Sequence, residues 1–115
     1  QVDAPTQGAT EVPSQIDRSD FARPDAPWIV LAFTSATCQT CSDIERKVRV
    51  LETNSVAIQI LEYMAERELH ERYKVDAVPT VLMADANGVV QANFLGPVSA
   101  TDLWAALARA RDSVV

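Results

Sequence analysis

Apolar runs and amphipathic stretches alternate along this chain, which predicts strands that alternate with helices. The run Trp28–Thr34 follows a proline, is apolar up to its last residue and is typical of a strand covered on both faces. Val56–Glu62 is a second β-rich run. Two shorter runs, 80–84 and 89–95, flank Asn87-Gly88, whose positive φ angles favour a tight antiparallel hairpin. Four strands are therefore predicted.

The segment 38–52 has the periodicity of an amphipathic helix. Its apolar residues Ile44, Val48 and Leu51 recur at i, i+4 and i+7, and charged residues occupy the other sides. This helix would directly follow the first strand. The sequence therefore predicts a strand-to-helix junction close to residue 38.

Two further helices are predicted from shorter patterns. Segment 65–74 has two apolar residues four positions apart among charges and predicts a short helix. Ser99 opens a capping-box pattern with Asp in place of Glu, followed by a helix that runs to about residue 111. Leu103, Trp104 and Leu107 are predicted to lie on the inner side of this last helix.

The order of these elements predicts an α/β fold. Its mixed β-sheet would be parallel at first and antiparallel at the end, with helices on both faces. Residues 1–13 contain two prolines, one glycine and small polar residues, which indicates a flexible leader. Residues 14–115 are predicted to form one domain, in which 14–21 forms a short edge strand or a turn of helix around Ile16 and Phe21.

Composition narrows the partners of such a domain. The chain has 115 residues, 48% of them apolar and 23% charged, which is ordinary for one globular domain. Its net charge of -6 opposes binding to a phosphate backbone or an anionic membrane surface, so nucleic acid is not an expected partner. The longest apolar run falls far short of the roughly 20 residues of a membrane-spanning helix.

The candidate chemistry lies in Cys38-Gln39-Thr40-Cys41, at the predicted strand-to-helix junction. Free N–H groups and the positive end of a helix dipole favour a thiolate there, and cysteines three apart on a helical turn are close enough to bond. We predict Cys38 as the nucleophile and Cys41 as the resolving thiol. Such a pair in a βαβ setting is typical of redox sites.

Metal and haem sites are not expected. Zinc needs four ligands, and beyond the two cysteines the chain has only His70, about thirty residues away on a charged helix. Attachment of c-type haem needs a histidine after the second cysteine, where this chain has Ser42. The sequence therefore predicts no metal and no cofactor.

Three landmarks in order give the chain a family resemblance: TCQTC at the head of a helix, VPT at 78–80, and Gly96 after the hairpin. From about residue 14 to its end, the chain resembles the thioredoxin family. The resemblance implies a thioredoxin fold, thiol-disulfide exchange with protein substrates and a redox partner, and a cis bond between Val78 and Pro79 beside the dithiol. It also implies that Val78 offers backbone groups to an extended substrate.

Several positions depart from the pattern of the family. Ala32 replaces the buried aspartate that assists proton transfer, and threonines at 34 and 37 replace two active-site tryptophans. Gln39-Thr40 stands in place of Gly-Pro between the cysteines, and we expect both residues to contact substrate. Arg46 replaces the proline that kinks the family's active helix. Without an imidazolium between the cysteines, an intermediate redox character is expected.

The remaining conspicuous residues are predicted to be structural or solvated. Trp28 and Trp104 are interpreted as packing residues, and His70 as a solvated residue on a charged helix face. Glu62 is expected to be a strand-end glutamate in water. Its alternative role is to replace the missing carboxylate by turning under the active helix.

Two functions follow from these observations. The first is a thiol-disulfide oxidoreductase that exchanges electrons through Cys38 and Cys41, acting as a monomer. The second is a thioredoxin-fold binding or redox-sensing module with little turnover. The composition of the leader and a start at Gln1 suggest an exported or membrane-tethered bacterial protein whose anchor would lie upstream, with a cytoplasmic location as the alternative.

Overall fold

The computed structural model describes residues 12–113, which form a four-stranded sheet with helices on both faces. The strands are β1 (Trp28–Thr34), β2 (Val56–Glu62), β3 (Thr80–Asp85) and β4 (Val90–Leu95). The helices are α1 (Cys41–Arg49), α2 (Arg67–Arg72) and α3 (Ala100–Ser113), and a short 3-10 helix covers Arg18–Asp20. The predicted α/β fold is confirmed. The predicted leader lies outside the described residues except for its last two, 12 and 13.

Strand β1 is a central strand of the sheet, and the strand order is β2-β1-β3-β4. It pairs in parallel with β2 and antiparallel with β3, and β4 completes the sheet antiparallel to β3. All seven residues of β1 are buried, as its unbroken apolar run predicts. This arrangement places the end of β1 beside the start of β3, where Phe33 pairs with Thr80.

The two faces of the sheet bury separate clusters. On one face, Val30 and Ala32 of β1 pack with Ile44 and Val48 of α1 and with Leu103 of α3. The opposite face is covered by α2 and by the segment that precedes β1. Its cluster comprises Ile16, Phe21, Ala26, Ile29, Leu31, Phe33, Ala57, Leu61, Val75, Leu82 and Ala84, with Leu69 and Tyr73 packed against it.

The position of Trp104 differs from the prediction. Helix α3 buries a narrow stripe, Leu103, Ala106, Leu107 and Ala110, whereas the side chain of Trp104 is 67% exposed. The buried residues follow the spacing i, i+3, i+4 and i+7, and Trp104 lies one helical step outside that stripe. Trp28 is buried at the start of β1, as predicted.

The hairpin between β3 and β4 forms as predicted, but with a different turn. Of Asn87 and Gly88, only Gly88 has a positive φ, 82°. The Asp85 carboxylate accepts hydrogen bonds from the backbone N–H groups of Asn87 and Val89 in this turn. Gly88 also accepts a 2.8 Å hydrogen bond from the N–H of Ile16 through its carbonyl. A Cβ atom on Gly88 would clash with the Ile16 carbonyl oxygen, so glycine is required here for close approach as well as for its φ angle.

Of the two structures predicted for the segment before β1, a turn of helix forms, as the 3-10 helix. The predicted edge strand does not form, and Gln15 makes only an isolated β-bridge with Val89. The Asp20 carboxylate then accepts a 2.6 Å hydrogen bond from the Tyr73 hydroxyl and a 2.8 Å ion-paired hydrogen bond from Arg72. Burial and the Asp20 carboxylate raise the pKa of Tyr73. These contacts fasten the segment to the C-terminal end of α2.

None of the helices formed within residues 12–113 combines the length and apolarity that crossing a bilayer requires.

Arg18 is a buried cation that joins three parts of this region. Its Nη1 donates to the carbonyls of Ala26, at 2.8 Å, and Asp85, at 3.1 Å, and its Nη2 donates to the Arg23 carbonyl at 2.9 Å. The side chain is only 7% exposed. The Arg23 and Asp85 carbonyls also accept backbone hydrogen bonds, from Ala26 and Gly88, so the guanidinium is their second partner. Because its charge-assisted hydrogen bonds join residues 23, 26 and 85, we infer that Arg18 holds the chain entering β1 against the end of β3.

We predict that Arg18→Met lowers the free energy of unfolding by about 1 to 3 kcal/mol, since it removes three charge-assisted hydrogen bonds and leaves the Ala26 carbonyl without the partner that Arg18 supplies. Urea denaturation monitored by circular dichroism would measure the loss. Arg18→Lys should fall between the variant and the wild type, because an ammonium reaches fewer of these carbonyls. Arg109→Met, on the exposed side of α3, is the matched control. Equal stability of Arg18→Met and Arg109→Met would contradict the role given to Arg18.

Candidate functional site

The two cysteines form a disulfide just beyond the buried end of β1. The Cα atoms of Cys38 and Cys41 are 5.4 Å apart. The N–H of Cys38 donates to the Ser35 carbonyl at 3.2 Å, and the N–H of Cys41 donates to the Cys38 carbonyl at 3.4 Å. The chain therefore makes two successive turns between strand and helix. Helix α1 begins at Cys41, three residues later than predicted, because residues 38–40 belong to the second turn.

The two sulfur-bearing residues differ in accessibility. Cys41 is 4% exposed and lies in the first turn of α1, whereas Cys38 is half-buried in the turn before the helix. Gln39 and Thr40, between them, are both exposed. A substrate approaching from solvent therefore meets Cys38 first. The roles of nucleophile and resolving thiol stay predictions, and this difference in exposure favours them.

Thr40 lies where it can influence the first sulfur. It occupies the N-cap position of α1, makes no side-chain capping hydrogen bond, and places its Oγ1 3.6 Å from the Sγ of Cys38. When the pair is reduced, the Thr40 hydroxyl can donate a hydrogen bond to a Cys38 thiolate. The unpaired N–H groups at the start of α1 add to this stabilisation of negative charge.

The segment before β3 lies at the same end of the sheet as the disulfide. The peptide bond between Val78 and Pro79 is cis. Pro79 is buried, and its carbonyl accepts a 2.8 Å hydrogen bond from the N–H of Gly96, whereas Val78 is 36% exposed. Because Phe33 pairs with Thr80, this segment borders the turn that carries the cysteines. The structure thus brings Val78 and Pro79 to the same end of the sheet as the disulfide.

Glu62 differs from the solvated glutamate predicted from the sequence. It is half-buried at the end of β2, where its Oε1 accepts a 3.1 Å hydrogen bond from the N–H of Ala65 and its Oε2 is enclosed without a hydrogen-bond partner. Backbone N–H groups of Met64 and Ala65 lower the pKa of Glu62. Its carboxylate is therefore held ionised by the turn after β2. A lowered pKa makes it a weak proton acceptor for Cys41.

His70 was predicted to be a solvated surface residue, and this prediction is wrong. The side chain is 2% exposed, and its Nε2 lies 2.8 Å from the carbonyl oxygen of Leu61. Its ring packs edge-on against Phe33 and Tyr63, with centroid distances of 5.0 and 5.2 Å. The charged neighbours of His70 on α2 face solvent, but the histidine itself turns toward the sheet, which local charge patterning could not reveal.

A cleft of about 440 Å³ opens between α2 and the segment before β3. We call it the Val78 cleft. Its lining residues are Ser35, Tyr63, His70, Glu71, Lys74, Val75, Asp76 and Val78. Sequence reasoning identified only Val78 among them as a substrate contact, because the others come from three separate stretches of the chain and share no motif.

The position of the missing aspartate is filled by apolar packing. Ala32 is fully buried and lies in register between Ile60 of β2 and Val81 of β3. It belongs to the same cluster as Ile44 of α1. No carboxylate replaces it at this point of the strand, so the proton of Cys41 needs another acceptor. Within residues 12–113, no three His, Cys, Asp or Glu side chains are grouped closely enough to hold a metal ion.

Comparison with known proteins agrees with this geometry. Residues 17–111 match the family model for the thioredoxin-like domain. No curated protein sequence matches the chain significantly.

Solved structures with the same fold include thioredoxins from distant organisms. A mutant thioredoxin from Halobacterium salinarum is 20% identical, with a TM-score of 0.68 over 88% of this chain and 90% of that chain. Fasciola hepatica thioredoxin is 27% identical, with a TM-score of 0.63 over 73% of this chain and 81% of that chain. Thioredoxin-2 of the malaria parasite is 23% identical, with a TM-score of 0.63, and the match covers 72% of this chain and 82% of that chain. With the family model spanning nearly the whole described domain and a disulfide-bonded Cys38-Cys41 pair at the end of β1, the chain belongs to the thioredoxin-like family.

Proposed function

We propose that this protein is a thiol-disulfide oxidoreductase that exchanges electrons with cysteines of other polypeptides. The observation that carries the proposal is the Cys38-Cys41 disulfide itself, with a half-exposed first residue and a buried second one at the start of α1. A purely structural disulfide gains little from closing so short a loop. The pair is better explained by its chemistry.

In the reducing direction, the Cys38 thiolate attacks one sulfur of a substrate disulfide. The substrate S–S bond breaks, a mixed disulfide to Cys38 forms, and the released substrate thiolate takes up a proton. Cys41 then loses its proton and attacks the Sγ of Cys38, which frees the second substrate thiolate. Two electrons pass from the Cys38-Cys41 pair to the substrate, and the internal disulfide remains. The oxidising direction reverses each step.

Charges around α1 support a moderately stabilised thiolate. Asp43 lies in the first turn, where its negative charge alone would oppose a thiolate at Cys38. Its carboxylate pairs with Lys47 at 2.7 Å and also with Arg46, and these contacts lower the pKa of Asp43. The positive partners offset its charge. Stabilisation then depends on the helix N-terminus and the Thr40 hydroxyl, which is consistent with the intermediate redox character that we propose.

The surface beside the disulfide is suited to a polypeptide. Three large apolar side chains on this side of the molecule are exposed: Tyr63 at 37%, Met64 at 66% and Val78 at 36%. Apolar groups near a reactive centre favour docking of an unfolded or extended segment. This surface also supports the second candidate function, a binding or redox-sensing module. The absent aspartate favours that alternative, because Ala32 leaves the pair without a built-in proton acceptor, and the two missing tryptophans mark a further departure from the active site of the family.

Reduction of insulin by dithiothreitol distinguishes the two functions. We predict that the wild-type protein accelerates it, that Cys38→Ser abolishes the acceleration, and that Cys41→Ser accumulates mixed disulfides, because only the exposed first sulfur reaches a substrate. Turbidity follows the reaction, and mass spectrometry identifies the trapped species. A wild-type rate no faster than dithiothreitol alone would favour the binding module. Trapping by Cys38→Ser instead of Cys41→Ser would reverse the assigned roles.

We predict that Ala32→Asp accelerates the resolving step by about tenfold or more, because a buried carboxyl has a raised pKa and can accept the proton of Cys41 near neutral pH. The same burial should lower the free energy of unfolding by about 3 kcal/mol. Single-turnover reduction of a disulfide peptide measures the rate, and urea denaturation measures the stability. Ala32→Asn has a similar shape without the ionisable group, so an equal acceleration by Asn would rule out proton transfer.

We predict that Glu62→Gln leaves the resolving step unchanged but alters the pH dependence of stability. The folded-state pKa of Glu62 is lowered, so its stabilising contribution is present above the unfolded pKa of about 4.3 and is lost as pH falls through the folded value. The stability difference between wild type and variant should therefore be larger at pH 7 than at pH 3. The exposed Glu71→Gln is the matched control. A slower resolving step in Glu62→Gln would instead identify Glu62 as the proton acceptor.

A further inference from the structure

The Val78 cleft adjoins the disulfide without including either cysteine. Ser35, on its wall, accepts the backbone hydrogen bond from Cys38, and Val78, on another wall, directly precedes Pro79. A polypeptide that extends along Val78 while its cysteine reacts with Cys38 therefore passes the mouth of the cleft. The volume of about 440 Å³ lies within the range of about 300 to 1,000 Å³ that is usual for ligand-binding pockets.

The buried histidine of the cleft has a ring nitrogen without a hydrogen-bond partner among residues 12–113. Because the Leu61 carbonyl can only accept, the Nε2 of His70 carries the proton of that 2.8 Å hydrogen bond. In the tautomer that carries its proton on Nε2, Nδ1 is an acceptor, and no hydrogen bond joins it to another residue of the range 12–113. His70 lines the Val78 cleft, and the 2% of the residue that stays exposed borders it.

The walls of the cleft specify what can reach that nitrogen. Tyr63, Val75 and Val78 provide apolar surface, and the Tyr63 ring already packs edge-on against His70. The charged residues Glu71, Lys74 and Asp76 include both signs, so they do not select a strongly charged group. The fitting occupant has an apolar, flat body and a hydrogen-bond donor at its tip. A tyrosine side chain meets both requirements.

We propose that the Val78 cleft binds a tyrosine side chain of the substrate polypeptide, close in sequence to the reactive cysteine, and that its hydroxyl donates a hydrogen bond to the Nδ1 of His70. The proposal rests on the proposed function, since it names the sequence feature that the oxidoreductase recognises. His70 is a specificity-determining residue in this arrangement, and it takes no part in the electron transfer.

Binding can be tested without redox chemistry. The probes are a series of peptides in which serine replaces the cysteine. Each peptide carries a single tyrosine, at one of the two positions before the serine or one of the two after it. The peptides are added to the oxidised wild-type protein. The long-range ¹H–¹⁵N spectrum of the His70 ring should show an unprotonated Nδ1 in the free protein. The Nδ1 resonance should shift with one tyrosine peptide of the series and stay unchanged with the phenylalanine peptide of the same register. A protonated Nδ1 in the free protein, or equal shifts with both peptides, would overturn the proposal.

Kinetics provide a second measurement. With disulfide peptides of the same series, tyrosine at the favoured position should raise the second-order rate constant about 3- to 10-fold over phenylalanine, as expected for one net hydrogen bond. His70→Phe keeps an aromatic ring beside Phe33 and Tyr63 but lacks the acceptor, so this ratio should fall to 1. Because both peptides are compared within one variant, a loss of stability cancels from the ratio. Arg109→Met, on the exposed side of α3 and away from the cleft, should retain the ratio.

The outcomes separate this proposal from the proposed function. If every peptide is reduced at the same rate, the cleft does not recognise tyrosine, and the oxidoreductase activity stands. If no peptide is reduced while the tyrosine peptide still shifts the Nδ1 resonance, the cleft is a binding site and the oxidoreductase proposal fails. A tyrosine preference that persists in His70→Phe would overturn the role of His70.

Discussion

The rest of this structure depends on the complete burial of strand β1. Neighbouring strands satisfy its backbone on both edges, and separate apolar clusters cover its two faces. A strand enclosed on four sides can end only where the chain leaves the core, and that point is the turn from Ser35 to Cys38. The disulfide therefore lies at the boundary between the most constrained backbone in the molecule and solvent. Reactive groups positioned by such a strand need little reorganisation before they react.

Sequence patterns predicted the sheet well because its signals are local. The unbroken run of β1 requires burial on both sides, and Asn87-Gly88 restricts the chain to a turn, so strand type and order followed from composition and spacing. Even there, the detailed turn differed, because the Asp85 carboxylate shapes it from the side. Trp104 was misplaced since hydrophobicity alone does not show where a buried helical stripe ends.

Part of the candidate site could also be predicted from the sequence. The two cysteines at a spacing of three are recognisable as a redox motif, and the Val78-Pro79 segment follows from the family resemblance. His70 and Glu62 could not be placed, for two different reasons. The histidine meets Phe33, more than thirty positions away, so a long-range contact determines its environment. The glutamate is held by the turn that directly follows it, whose geometry no sequence motif records.

Helix α2, which lines the Val78 cleft, is short and is held in place by tertiary contacts. A helix of six residues is not stable alone in water, because its few hydrogen bonds do not offset the free-energy cost of helix nucleation. Contacts fasten α2 to other parts of the fold: His70 to the Leu61 carbonyl, and Arg72 with the adjoining Tyr73 to Asp20. The conformational entropy of α2 is therefore lost during folding and not during binding. A side chain that binds in the Val78 cleft contacts a preorganised helix, so the entropy lost on binding is mainly that of the ligand.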